Sequence, residues 1–459
     1  MIDKYYNGVV EQVYNHVGKI EKNIVMASYN NDFSIENLET VKRYRTQEDS
    51  VFFASREFGY RELAGAYDPF LETICDMFRK YGTDSFDAFM ESCGVYELHR
   101  EILRSYYENG RCERNENVLL NEVTYEQERM TAAMAAMLKA LAAKHPIVLV
   151  INRFQMASRS TFELVHELII HPDMNIGMVL GVNDTVGRWE SVAEVWDGIE
   201  ESLQDQSQLY HIGSSDRRRT ERTEEYSLGE GYTDNVDIDE DYDASIRKVA
   251  NIVEFLDYDQ AKRYFREVEN KMKFEDAKMN NASKCVFYLL YARTSILLGE
   301  LSKALELITE AGKMIPMGNE FRFRAQLDFL RGTCYMYQGK LDRAERYADR
   351  AYEHAVQSGD EKQVFRAQLL KVMAQMSGWY NIFFCVKDIP IEAELIEKLM
   401  QYGYKNHLAH IYIYAYDNQP NVVAKAYRSE AALFHFGKGV ALAKKIGNTQ
   451  LVYDAYQKN

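Results

Sequence analysis

The sequence predicts an α/β half built on a parallel sheet at residues 1–216 and an all-α half of stacked helical hairpins at residues 246–459. A polar, acidic linker at 217–245 joins them. Three observations carry this. Short apolar runs alternate with helical stretches before residue 217. The stretch RRRTERTEEYSLGEGYTDNVDIDEDYDAS has almost no aliphatic side chain. After it, a pattern of small and apolar residues recurs about every forty positions.

The first strand expected is NIVMAS at 23–28, followed by the turn-like YNND and a helical stretch over 33–44. A second strand, SVFFAS, covers 50–55. IVLVI at 147–151 is the clearest buried strand; the alanine-rich helix before it ends at His145-Pro146. A helix over 160–171 and a strand, NIGMVLGV, at 175–182 follow. Uniformly apolar strands alternating with helices point to a parallel sheet covered on both faces. The linker cannot bury enough apolar area to offset its ordering entropy.

In the second half, ARTSILLGELSKALELITEAGKMIP around Ala292 is echoed forty residues on by GTCYMYQGKLDRAERYADRAYEHA around Gly332. Ala292/Gly332, Gly299/Gly339, Ala304/Ala344, Ile308/Ala348 and Ala311/Ala351 fall in register. A weaker copy places Ala261 and Phe265 in the same slots, and degenerate copies lie at 363–385 and 429–448. Small residues let antiparallel helices approach closely, and glycine permits the turn between them. This resembles the tetratricopeptide pattern, whose hairpins stack into a superhelix.

Composition narrows the function. The 459 residues are 46% hydrophobic and 27% charged, which suits two or three domains with real cores and excludes wholesale disorder. A net charge of −15 disfavours nonspecific binding to nucleic acid or anionic membranes. The one basic run, Arg217-Arg218-Arg219, is followed closely by Glu221, Glu224 and Glu225 and reads as linker. Six cysteines at 75, 93, 112, 285, 334 and 385 include no CxxC pair and read as reduced cytoplasmic thiols. The first 25 residues hold no signal-peptide pattern, and no apolar run reaches eighteen residues, so a cytoplasmic location is expected.

HPIVLVINRFQMASRSTFELVHEL at 145–168 resembles the Walker B stretch of the STAND-type signalling ATPases, the group that holds the maltose-regulon activator and the ATPase-like modules of soluble adenylyl cyclases. Gln155 matches the family's His/Gln position, and Ser160-Thr161 opens the helix. FGYRELAGAYDPF at 58–70 resembles the family's aromatic–Asp/Ala–Pro–Phe stretch, and 175–184 its next strand. The resemblance covers roughly residues 20–200 and implies a P-loop-like sheet, with helical repeats as its usual partner domain. In the family, the repeats sense a ligand, the ATPase module responds, and an output domain usually follows; none is recognisable before Gln457-Lys458-Asn459.

The charged positions depart from the family. After NIVMAS, Ala27, Asp32, Phe33 and Ser34 stand where the P-loop glycines, lysine and hydroxyl residue belong. Asp32 puts negative charge where phosphate would sit, Phe33 replaces the lysine, and Ser34 alone survives, equally an N-cap. Asn152 and Arg153 replace the acidic pair that holds Mg²⁺, and Asn183 or Asp184 ends the sensor strand where the family often keeps Arg. Phosphoryl transfer depends on positioning and electrostatics, so these losses predict a degenerate, non-hydrolysing domain. VGKI at 17–20 precedes the strand and reads as chance.

No other chemistry stands out. His166 and His171 are five apart, off a shared metal-binding face; Cys385 and His407 have no partners at ligand spacing; no G-x-S-x-G occurs; Asp239-Glu240-Asp241 reads as solvated charge. Tyr288, Tyr291, Tyr335 and Tyr337, with the cluster Tyr412/Tyr414/Tyr416, are candidates for a concave peptide groove, against packing between repeats. The expected function is a non-enzymatic regulatory or scaffold protein: a pseudo-ATPase platform coupled to repeats that bind a protein or peptide, without cofactor or metal. The alternatives are an ATP–Mg²⁺-binding signalling switch and a peptide-sensing regulator driven by its repeats alone.

Overall fold

The structure, a computed structural model, describes residues 2–30, 33–47, 50–60, 63–112, 123–184, 192–205, 208–212, 242–274 and 279–380, with 395, 398–399 and 401 beyond them. The sheet half opens with helix α1 (Ile2–His16), then β1 (Ile24–Tyr29), α2 (Glu39–Thr46) and β2 (Phe52–Glu57). Four helices follow: α3 (Phe70–Tyr81), α4 (Phe86–Ser92), α5 (Glu97–Asn109) and α6 (Val123–Ala142). Then come β3 (Ile147–Asn152), α7 (Arg159–Ile170), β4 (Ile176–Asn183), α8 (Ala193–Asp205) and β5 (Leu209–Ile212).

The five strands are all parallel, in the order β2-β3-β4-β1-β5. β1, β3 and β4 are buried along their whole length, as their uniformly apolar sequences require. Residues alternate between the faces. Val25, Ala27, Val148, Val150 and Val179 face α1 and α2 in one core, while Ile24, Met26, Leu149, Ile151 and Leu180 join a larger core with α3, α6, α7 and α8. Glycines let α1 lie close on β4: a Cβ at Gly177 would be 2.8 Å from Val13 Cγ1, and one at Gly181 would collide with Tyr6 Oη.

The helical stretch expected over 33–44 is instead a 3₁₀ turn, Ile35–Asn37, followed by α2. Leu38, extended at φ −68° and ψ 130°, separates the two. The string VGKI at 17–20 follows α1, with Gly18 left-handed at φ 77° and Lys19 Nζ donating to the Asn15 carbonyl (2.9 Å).

The helical half contains α9 (Tyr242–Glu254), α10 (Tyr258–Phe274), α11 (Asn281–Leu297), α12 (Leu301–Lys313), α13 (Glu320–Tyr337), α14 (Leu341–Ser358) and α15 (Glu361–Tyr380). The small residues of the repeat are buried: Ala292, Ala304, Ala311, Ala344 and Ala351 are at most 1% exposed. Gly299 (φ 75°) and Gly339 (φ 71°) make the turns between α11 and α12 and between α13 and α14. Gly332 admits the neighbouring layer, since a Cβ there would lie 2.7 Å from Leu370 Cδ2.

The linker lies mostly outside the described residues. Its last four, 242–245, belong to α9, and Ser245 is buried. The two halves share one hydrophobic core, which continues from the sheet through α9 and α10 into α11–α13. Asn251 ties α9 to the end of α5, accepting the Cys112 N–H (2.8 Å) and donating to the Gly110 carbonyl (3.2 Å). Gln260 Nε2 donates to the Ala64 carbonyl (2.9 Å). Cys75, Cys285 and Cys334 are buried and free, and burial pushes the Cys75 and Cys334 thiols up to about 12. No described helix is long and apolar enough to cross a membrane.

Candidate functional site

In an open parallel sheet the place for a ligand is the crevice outside the carboxyl ends of the strands, where the connections reverse direction. Here the chain leaves β1 for the β2 edge and later crosses from β4 over β1 to β5, so the reversal lies at β1 and β4. The strands end there in Tyr29, Glu57, Asn152 and Asn183; strand register sets Glu57 beside Asn152 and Tyr29 beside Asn183.

Side chains of the protein itself fill this crevice. Phe33 packs edge-on against Tyr29 (ring centroids 4.6 Å apart) and Tyr6 (4.9 Å). Tyr29 Oη donates to Asn152 Oδ1 (2.8 Å), and Asn152 Nδ2 donates to the Phe33 carbonyl (3.3 Å), so both ends of the buried amide are engaged. Tyr6 reaches in from the second turn of α1. Burial, reinforced by Tyr29 and Glu57, pushes its hydroxyl well above the ordinary tyrosine range and keeps it neutral.

Ser34 is the N-cap of the 3₁₀ turn, its Oγ accepting the Glu36 N–H (3.3 Å). The same hydroxyl donates to Glu57 Oε2 (2.9 Å), which also accepts the Ile35 N–H (2.8 Å). The anion held by the donors that follow β1 is therefore the protein's own Glu57. Its other oxygen pairs with Arg153 (3.0 Å), which also donates to the Phe58 carbonyl (3.1 Å) and stacks over Tyr60 (4.4 Å). Gln155 Nε2 donates to the Asn183 carbonyl (3.2 Å), and Asn183 Nδ2 donates to Tyr60 Oη (2.7 Å).

No family model matches the chain, and no curated protein matches it.

The structure thus brings Phe33, Ser34, Asn152 and Arg153 to one crevice; Asp32 lies outside the described residues. Sequence reasoning missed Tyr6, Tyr29, Glu57 and Tyr60, which join from distant positions. The signal for Tyr6 was present: Tyr6, Val9, Val10 and Val13 recur at helical spacing and form the buried face of α1.

A second concavity lies in the helical half. Helices α11, α13 and α15 enclose about 90 Å³, room for several waters or a small side chain. Leu290, Phe329 and Leu370 form apolar wall, and Gln326, Gln363 and Arg366 bring polar groups. Of the four tyrosine candidates, Tyr337 lines this cavity. Tyr291 is buried and stacked on Phe265 of α10 (4.7 Å), and Tyr288 packs against Phe287 (5.4 Å). Tyr335 stacks on Tyr347 of α14 (5.4 Å). These three pack within and between hairpins. Tyr412, Tyr414 and Tyr416 lie outside the described residues.

Proposed function

We propose that the chain is a non-enzymatic regulatory or scaffold protein in signalling or transcription control: a degenerate P-loop-like sheet serving as a pseudo-ATPase platform, coupled to a tetratricopeptide-type array that binds a protein or peptide. One observation carries the reading. The Ser34 hydroxyl and Ile35 N–H, the donors that a phosphate would need after β1, both hold Glu57. A bound triphosphate would have to displace this carboxylate against its charge and move Phe33 from between Tyr6 and Tyr29. Asn152, engaged by Tyr29 and by the Phe33 carbonyl, supplies no charge for Mg²⁺, and Arg153 repels the ion. These residues do not fit ATP–Mg²⁺. The repeat reading is supported by the buried small residues in register and the turns at Gly299 and Gly339.

Calorimetric titration with ATP–Mg²⁺ tests the proposal. The expected result is no binding by the wild-type chain at micromolar nucleotide, and none by Ser34→Ala. Micromolar binding by the wild type that Ser34→Ala abolishes would establish the ATP-binding switch instead. The cavity between α11, α13 and α15 favours a second reading, a regulator driven by its repeats alone.

A further inference from the structure

Among the described residues, three other than glycine hold left-handed backbones: Tyr67 (φ 54°), Arg153 (φ 54°) and Leu256 (φ 67°). Bulky side chains disfavour this region, so such residues persist only where their surroundings hold them. The three lie far apart in sequence, yet their segments converge on one buried carboxylate.

That carboxylate is Asp257, 4% exposed, at the corner between α9 and α10. Its Oδ1 accepts the Gln260 N–H (3.2 Å), capping α10. Its Oδ2 accepts both the N–H (3.0 Å) and the hydroxyl (2.7 Å) of Ser160, in the first turn of α7. One carboxylate thus serves the N-termini of two helices, one in each half, where both dipoles favour its charge. Ser160 Oγ in turn accepts the N–H of left-handed Tyr67 (2.9 Å). The carbonyl of left-handed Leu256 accepts from Gln127 Nε2 of α6 (2.7 Å). Left-handed Arg153 begins the β3–α7 connection, which leaves the strand ends at Asn152 and ends at the N-cap Ser158, two residues before Ser160.

We propose that the Asp257–Ser160 bridge is a mechanical relay between the helical array and the crevice at the strand ends. A displacement of α10 away from α7 carries Asp257 with it. Ser160 then loses both bonds to Asp257, and its hydroxyl is free to turn away from the Tyr67 N–H; relief at Tyr67 offsets part of the cost of the broken bonds. The β3–α7 connection thereby loses its anchor at the α7 end, and Arg153 at its other end is left to Glu57 and the Phe58 carbonyl at the crevice. The relay requires no nucleotide and no particular partner, so it stands or falls independently of the function proposed above.

Coupling of this kind is reciprocal. The test is hydrogen exchange by mass spectrometry on the full chain carrying Asp257→Asn, Ser160→Ala, or both. Bonds to a charged group of this kind correspond to roughly 10- to 100-fold in an opening equilibrium. Asp257→Asn is expected to speed exchange at 153–161 and 64–68 by about tenfold or more. Ser160→Ala, which removes only a hydroxyl and serves if the first variant does not fold, is expected to speed exchange at 254–260 across the junction. The double variant is expected to exchange no faster than the faster single one. Effects confined to the mutated side, 254–260 for Asp257→Asn or 153–161 for Ser160→Ala, would overturn the relay and leave two local caps. Multiplying effects in the double variant would also overturn it.

Discussion

Phe255→Ala is expected to destabilise both halves of the protein together, by about 3–5 kcal/mol. Phe255 follows α9, is 2% exposed, and meets Tyr106 of α5 (5.4 Å) and Tyr67 (6.4 Å) edge-on. Removing the ring leaves a cavity in the core that runs from the sheet into α11–α13. Because that core is continuous, calorimetric unfolding should shift as one transition, with protection at β3 and at α11 falling in parallel. A shift confined to the helical half would mean that two cores unfold separately.

The second large effect is at Glu254 and Arg293, which tie α9 to α11 at 2.6 Å. The Glu254 side chain is 1% exposed and that of Arg293 12%. Burial works against the Arg293 charge, but Glu254 and Tyr258 together outweigh it and hold the guanidinium above its ordinary pKa. Arg293→Ala leaves a buried carboxylate without its cation and is expected to cost about 3–5 kcal/mol in denaturant unfolding. Replacing the pair together, Glu254→Leu with Arg293→Met, should restore most of that loss, because two apolar groups of similar volume need no compensation. A double variant as unstable as Arg293→Ala would show that the charges hold the junction through more than each other.

Legibility in the sequence followed the kind of burial each element has. β3 and β4 are buried on both faces and read as unbroken apolar runs, and the hairpins of α11–α14 announce themselves by repetition. α1 did not stand out, because its apolar stripe is interleaved with Asp3, Lys4 and Glu11; the helical spacing of Tyr6, Val9, Val10 and Val13 was the available sign. β5 has four residues, too few for a period to emerge. At the crevice, Phe33, Asn152 and Arg153 were legible as residues unsuited to a phosphate–Mg²⁺ site. The residues that fill the crevice were not, because Glu57 reaches Ser34 across 23 residues and Tyr29 reaches Asn152 across 123. Only the strand order β2-β3-β4-β1 and the placement of α1 bring Glu57, Tyr29 and Tyr6 together with Phe33. For the tyrosines of the helical half, composition marks a side chain as able to face a partner, but its helix face decides whether it meets Phe265, Tyr347 or the cavity.

A structure of the full chain determined in the presence of millimolar ATP and Mg²⁺ tests the proposed loss of nucleotide binding. The expected result is an unchanged crevice, with Ser34 Oγ and the Ile35 N–H still on Glu57 and Tyr29 Oη still on Asn152. A nucleotide seated beside Ser34 and Asn152, with Glu57 turned away and Phe33 withdrawn from Tyr6 and Tyr29, would contradict it.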